Sequence, residues 1–263
     1  MDHAEVEQVF VDLSIAAGAV ILDAFNAPEI ETMWKSDGTP VTAADIAADN
    51  LIVAGLRRAF PGIPVVSEEN PDSHLDSADR LFLVDPLDGT SGFRRHRKNF
   101  TVNIALVDHG VPVHGVVYGP ALGRHFCTTA GGPVVERKIN PETGTVTGTI
   151  EFETQPRNNH GLRVVASSTQ GLGGKVGVLL STLDIGEVDT MSSSIKFCLI
   201  AASEADIYPR SGPTMEWDTA AGHAILRAVG GQVHEFGSSR ILAYGKPKFE
   251  NPGFVACGPG IRI

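Results

Sequence analysis

Leu81-Phe82-Leu83-Val84-Asp85-Pro86-Leu87-Asp88-Gly89-Thr90 is an apolar run that breaks into two carboxylates. Residues 81–84 read as a buried strand, because a short apolar run bounded by turn formers suits a sheet interior. Pro86 stiffens the link and Gly89 lets the chain turn, so Asp85 and Asp88 leave one strand end together. Like charges this close repel, which favours a bound cation. Oxygen donors without Cys or His suit Mg2+, with Mn2+ as the alternative. The same residues also make an ordinary surface turn, since Asp-Pro and Asp-Gly are common turn pairs. By itself the segment leaves both readings open.

Before this segment the chain is helical in pattern. Val6, Val9, Phe10, Leu13, Ala16, Ala17, Val20, Ile21 and Ala24 recur at helical spacing, and Asn26 and Pro28 end the run. Residues 34–41 are rich in turn formers. Thr42 then caps a second helix with Ile46, Ile52, Val53, Leu56 and Phe60 on its apolar side. Strands follow at 63–66, 81–84, 101–107 and 111–118, with a hairpin connection at 107–111. Residues 137–161 are polar and read as a turn or flap. Another strand is expected at 162–166, helices at 171–182 and 193–203, a short strand near 206–208, and a last helix from Asp218 to Val229. A composition shift near residue 160 divides the chain into 1–160, with most candidate ligands, and 161–263, with Asp218. Two helices, a run of strands and then alternating elements indicate a layered α/β sandwich.

Four further acids stand at three suggestive places. Glu68-Glu69 follows a strand, where ligands gather in α/β sheets, but two loop glutamates also make a plain solvated surface. Asp218 precedes the last helix and suits an N-cap. Asp45 lies three residues after Thr42, as in a capping box. The basic stretch Arg94-Arg95-His96-Arg97-Lys98 suits either a solvated loop or a face for phosphate. Gly171-Leu172-Gly173-Gly174-Lys175-Val176 is no phosphate loop, since no Ser or Thr follows the lysine.

The 263 residues suit one large domain or two closely joined ones, and a 42% hydrophobic content supplies a core. The net charge of −10 argues against a nucleic-acid partner. Cys127, Cys198 and Cys257 lie far apart, which excludes a Cys-x-x-Cys zinc site and suits free thiols. No uninterrupted apolar run reaches the ~18 residues that span a bilayer, and the acidic start is unlike a signal peptide. These features lead us to expect a cytoplasmic protein.

Together the motifs resemble the inositol monophosphatase superfamily of metal-dependent, lithium-sensitive phosphatases, and within it the CysQ-type 3'(2'),5'-bisphosphate nucleotidases. The matching stretches are Thr39-Pro-Val-Thr-Ala-Ala-Asp45, Val66-Ser-Glu-Glu69, Leu83-Val-Asp-Pro-Leu-Asp-Gly-Thr90, Phe100-Thr-Val-Asn-Ile-Ala-Leu106, Lys196-Phe-Cys198 and Tyr208-Pro-Arg-Ser-Gly-Pro-Thr-Met-Glu-Trp-Asp-Thr-Ala-Ala-Gly222. The resemblance implies an α/β/α/β/α sandwich of the inositol monophosphatase and fructose-1,6-bisphosphatase type. It implies one Mg2+ on Glu68, Asp85 and the Leu87 carbonyl, and a second on Asp85, Asp88 and Asp218. A third, weaker ion would sit near Glu68. Asp45 and Thr90 would activate water, and the Gly89 and Thr90 amides would hold phosphate. Ser193, Lys196 and Arg210 would complete the substrate contacts.

The implied substrate is a small nucleotide bisphosphate: adenosine 3',5'-bisphosphate, hydrolysed to AMP and phosphate, with its sulfated form as a further candidate. The implied protein is a monomer or homodimer with at most peripheral contact to the inner membrane. Two stretches depart from the branch pattern. Ser91-Gly92 stands where the branch has Lys-Glu, and Ser192 stands where it has glycine. A second reading, hydrolysis of inositol phosphates or fructose 1,6-bisphosphate, therefore stays open. A third is a non-catalytic metabolite binder on the same fold.

Overall fold

The computed structural model describes every residue except Ser36, Asp37, Asp76, Ser77 and Thr154. The expected turn at 34–41 thus falls partly outside the described residues. Its flanks, β1 (Thr32–Trp34) and β2 (Pro40–Thr42), pair antiparallel.

A seven-stranded sheet holds β3 (Val65–Ser67), β4 (Arg80–Asp88), β5 (Thr101–Asp108), β6 (Val111–Gly119), β7 (Arg124–Thr128), β8 (Val134–Ile139) and β9 (Val146–Phe152), in chain order across the sheet. β3 runs parallel to β4, and the remaining neighbours are antiparallel. His109 and Gly110 both have positive φ, 49° and 77°, which suits the two-residue turn joining β5 to β6.

A five-stranded sheet holds β10 (Leu162–Ala166), β11 (Ile185–Thr190), β12 (Ile207–Arg210), β14 (Gln232–Glu235) and β16 (Phe254–Cys257), in the order β11-β10-β12-β16-β14. A small pair, β13 (Thr214–Met215) and β15 (Glu250–Asn251), lies apart from it.

The helices form the other layers. α1 (His3–Phe25) and α2 (Ala43–Ala59) bury Val6, Phe10, Ile21, Ile52 and Leu56 against Phe82, Val84, Val102 and Ile104 of the larger sheet. After the single turn α3 (Thr90–Phe93) and the helix α4 (Gly174–Leu180) come α5 (Ile195–Ala201) and α6 (Ala220–Ala228). These last two share a core with Leu81, Leu83, Ala105 and Val107 on the sheet's other face, and with Tyr208, Val233 and Phe254 of the smaller sheet. Leu179 and Leu180 of α4 cover the far side of that smaller sheet, against Val164 and Val255. The layers therefore alternate α/β/α/β/α, as the motifs led us to expect. Gly115 makes the middle layer possible, because a Cβ there would lie 2.4 Å from the Ala221 carbonyl oxygen of α6.

The structure corrects several expectations. Residues 137–161 do not form a flap: the second half of β8 and all of β9 pair there as a hairpin that extends the larger sheet. Val146, Ile150 and Phe152 alternate with Thr147, Thr149 and Glu151 along β9, the period-2 pattern of a strand with one covered face. Ile46 is 38% exposed and lies outside the buried stripe of α2. The helices expected from 193 and 218 begin at Ile195 and Ala220. α1 is long and apolar enough to cross a membrane by length and composition, with a mean hydropathy of 1.7. Here it docks on the sheet, and its apolar face is used for that packing.

Candidate active site

Residues three apart in a regular strand face opposite ways, so Asp85 and Asp88 should diverge. A bulge prevents this. Asp85 pairs with Asn103 and Asp88 with Thr101, so β4 carries one residue more than β5 over the same step. The alternation resets within the bulge. Leu81 and Leu83 point into the middle layer, whereas Leu87 packs with the outer helices. Asp85 and Asp88 can then share the face toward the middle layer. Gly89 follows with φ 98°, a conformation costly for a residue with a Cβ, and starts α3.

Glu68 leaves the end of β3 beside this point. Its amide donates to the Val84 carbonyl at 3.1 Å, continuing the parallel register. Asp218 arrives from the middle layer, in the 3-10 turn Glu216–Asp218 ahead of α6, and accepts the Met215 amide at 2.9 Å. Carboxylate oxygens of Glu68, Asp85 and Asp218 all lie within 4.8 Å of one another. Asp88 falls outside that tight group, yet its charge helps raise the other three.

Burial is the largest cause of the raised Asp85 and Asp218 pKa values, with the neighbouring carboxylates adding to it. Burial likewise raises Glu68, partly offset by Lys35. The Lys35 ammonium donates to Glu68 at 2.9 Å and to Glu69 at 2.8 Å. Asp85 is buried and Glu68 and Asp218 partly so, and their converging carboxylate oxygens suit a hard divalent cation.

Asp45 sits in the first turn of α2, where the capping reading holds and a second contact reaches Thr90. It accepts the Thr42 amide at 2.8 Å and the Thr42 hydroxyl at 2.5 Å, as a capping residue does. Its other oxygen, Oδ1, accepts from the Thr90 hydroxyl at 3.0 Å. Burial raises the Asp45 pKa against these hydrogen bonds.

A cavity of about 370 Å3 opens beside the acids, lined in part by Asp88, Gly89, Ser193, Lys196, Arg210 and Asp218. The Ser193 hydroxyl is buried without a hydrogen-bond partner and Ser193 has φ 66°. Lys196 is 2% exposed, donates to the Ser193 carbonyl and lies over the Tyr208 ring at 4.7 Å. Arg210 reaches Ser167 Oγ at 3.2 Å. The glycine-rich stretch before Lys175 lies elsewhere, at the start of α4.

Sequence reasoning gave no role to Ser194, Asn103 or Lys35. The Ser194 hydroxyl lies 2.7 Å from Asp88 Oδ2 and 2.6 Å from the Asp218 carbonyl, and accepts from Asn103 Nδ2 at 2.9 Å. Ser194 and Asn103 fall inside recognisable motifs, but nothing in their spacing shows that they meet.

Carboxylates gathered from two strand ends and the 3-10 turn ahead of α6 thus stand beside a threonine–aspartate pair on a five-layered fold. The chain belongs to the inositol monophosphatase family, whose sequence model matches residues 2–258. It is 39% identical over 241 residues to the 3'(2'),5'-bisphosphate nucleotidase CysQ of Escherichia coli K12, covering 90% of this chain and 94% of that protein. It is 40% identical over 252 residues to CysQ of Salmonella typhimurium, covering 95% and 98%. The crystal structure of CysQ from Bacteroides thetaiotaomicron superposes with a TM-score of 0.82 at 32% identity, covering 98% of each chain. An inositol monophosphatase from Thermotoga maritima, at 21% identity and a TM-score of 0.74, shares the fold.

Proposed function

We propose that this protein is a Mg2+-dependent 3'(2'),5'-bisphosphate nucleotidase that hydrolyses adenosine 3',5'-bisphosphate to AMP and phosphate, and that it also accepts the sulfated nucleotide. One observation carries the reading: Glu68, Asp85 and Asp218 bring carboxylate oxygens within 4.8 Å of one another in a chain that resembles CysQ proteins along nearly its whole length. Glu68, Asp85 and the Leu87 carbonyl would hold one cation, Asp85, Asp88 and Asp218 a second, and Glu68 the edge of a third. When bound, the cations neutralise the phosphate and acidify water.

The protein groups do the rest. The Thr90 hydroxyl lies within hydrogen-bonding reach of Asp45, and with its proton on that side it can accept one from water. Asp45 is the final acceptor, and its burial makes it a stronger base than a solvated aspartate. The Gly89 and Thr90 amides open α3 toward the phosphate, and Ser193, Lys196 and Arg210 form the nucleotide side of the cavity. Residues 1–160 would supply most cation ligands and 161–263 would supply Asp218 and the nucleotide contacts. We further place the enzyme in the cytoplasm, as a monomer or homodimer.

The test is a panel of adenosine 3',5'-bisphosphate, inositol 1-phosphate and fructose 1,6-bisphosphate, with Mg2+, with chelator and with Li+. The nucleotide should lead in kcat/KM by roughly a hundredfold or more. Preference for inositol 1-phosphate overturns the substrate, and turnover undiminished by chelation overturns the chemistry.

A further inference from the structure

The two stretches that depart from the branch pattern meet in space. A Cβ placed on Gly92 would lie 3.6 Å from Ser192 Oγ and 3.7 Å from Arg97 Cβ. A longer residue at 92 would have to pass between that hydroxyl and the arginine stem. Ser192 donates in turn to the Asn99 carbonyl at 2.7 Å, tying the end of the basic loop to the segment that enters α5. The loop also closes on itself. The amides of Arg95 and Arg97 both donate to the Gly92 carbonyl, at 2.9 and 3.0 Å, and His96 takes the left-handed conformation, φ 52°. The loop is therefore tied to Ser192, which lines the cavity together with Ser91.

The cations of this loop are in different states. Arg94 is engaged: its Nε donates to Thr32 Oγ1 at 2.8 Å, and its guanidinium lies 4.8 Å from the centre of the Trp34 ring. Arg95, Arg97 and Lys98 are exposed, and the ion pairs among the described residues leave all three out. On the opposite wall Lys196 is buried against Ser193 and Tyr208, and Arg210 is held by Ser167 and the Pro213 carbonyl. In a chain of net charge −10, the exposed Arg97, whose stem lies beside Gly92 and the cavity-lining Ser192, makes a local field for an anion.

We propose that Arg97, positioned by the Ser192–Asn99 contact, binds the second, non-reacting phosphate of the substrate. This rests on the nucleotide bisphosphate reading and assigns the loop its part in specificity. An exposed, unengaged guanidinium can form charge-assisted bonds to phosphate without first breaking an ion pair. Gly92 leaves the approach open, and Ser192 keeps the loop from swinging away.

The experiment compares adenosine 3',5'-bisphosphate with adenosine 3'-monophosphate, which lacks the second phosphate, on wild type, Arg97→Ala, Arg97→Lys and Ser192→Ala. Arg97→Ala should raise KM for the bisphosphate roughly tenfold, keep kcat within about twofold, and leave KM for the monophosphate unchanged. Arg97→Lys should recover part of the loss, and Ser192→Ala should raise KM for the bisphosphate alone. An unchanged KM for the bisphosphate in Arg97→Ala overturns the subsite, and so does an equal rise for both substrates. Wild-type enzyme inert toward the bisphosphate defeats the nucleotidase reading and the subsite together, whereas an active wild type with an insensitive Arg97→Ala defeats the subsite alone.

Discussion

The Thr90 hydroxyl stands 3.0 Å from Asp45 Oδ1, joining the turn after β4 to the first turn of α2. It is also 3.0 Å from the Leu87 carbonyl, so its single proton has two possible acceptors. Water activation needs the proton on the Asp45 side. Thr90→Ala and Asp45→Asn should each lower kcat by roughly 10^2- to 10^4-fold with little change in KM, and Thr90→Ser should keep most of the activity. Steady-state kinetics on the three variants check this; a Thr90→Ala enzyme with normal kcat removes the relay.

Asp85 is 1% exposed and faces the charges of Glu68, Asp88 and Asp218. In Asp85→Asn the shape is kept and the repulsion removed. The metal-free variant should melt a few degrees higher than metal-free wild type, while Mg2+-dependent turnover falls by roughly a thousandfold or more. A lower melting point without metal would mean that Asp85 is held by contacts stronger than the repulsion.

The raised carboxylates also set a pH dependence. Glu68, Asp85 and Asp218 have folded pKa values above their unfolded ones, and burial lifts Glu69 to about 7. The folded state therefore holds protons that the unfolded chain has released. Their contribution is complete below the unfolded carboxylate range near ~4 and is lost as pH rises through the folded values. Metal-free protein should lose stability from pH 5 to 8, and Mg2+, which needs the ionised form, should raise Tm more at pH 8 than at pH 5. Melts at both pH values test the sign, and an equal shift contradicts it.

Two histidines act oppositely. Burial pushes His125 and His223 down to about 3. The unfolded chain then binds more protons between ~6.5 and about 3, so their contribution is present above ~6.5 and fades as pH falls. Each adds a slope approaching ~1.4 kcal/mol per pH unit in that window. His125→Gln should flatten the dependence of unfolding free energy on pH between 6 and 4, whatever it costs at neutral pH. Denaturant titrations at several pH values measure the slope; an unchanged slope would mean that His125 is protonated in the fold.

Ser194 joins Asp88, the Asp218 carbonyl and Asn103 through one hydroxyl. Ser194→Ala should weaken apparent Mg2+ affinity by roughly 10- to 100-fold, as loss of a group that orients a ligand does, with a smaller effect on kcat at saturating metal. Mg2+ titrations of activity decide, and an unaltered half-saturating concentration would limit Ser194 to packing.

Much of this could be read along the chain. The helical stripe of α1, the strand before Asp85 and the capping spacing of Thr42 and Asp45 are local patterns, and local physics places them correctly. The edge hairpin of β8 and β9 eludes the sequence because its apolar residues are interspersed with polar ones around a polar turn, and only partner strands define it. The meeting of Gly92 and Ser192, a hundred positions apart, was equally invisible.

Asp85, Asp88 and their neighbours were set by sequence as residue types: hard oxygen donors at a strand end, with a glycine that permits the turn. That they face one point was not. A strand without the bulge would send Asp88 to the opposite face, and the register against β5 decides this, because alternation resets only where two backbones fall out of step. Likewise Asp218 reaches the other acids only because the middle layer packs between two sheets. Sequence supplied the chemical groups, and tertiary packing gathered their charges in a low-dielectric pocket where a cation can offset the repulsion.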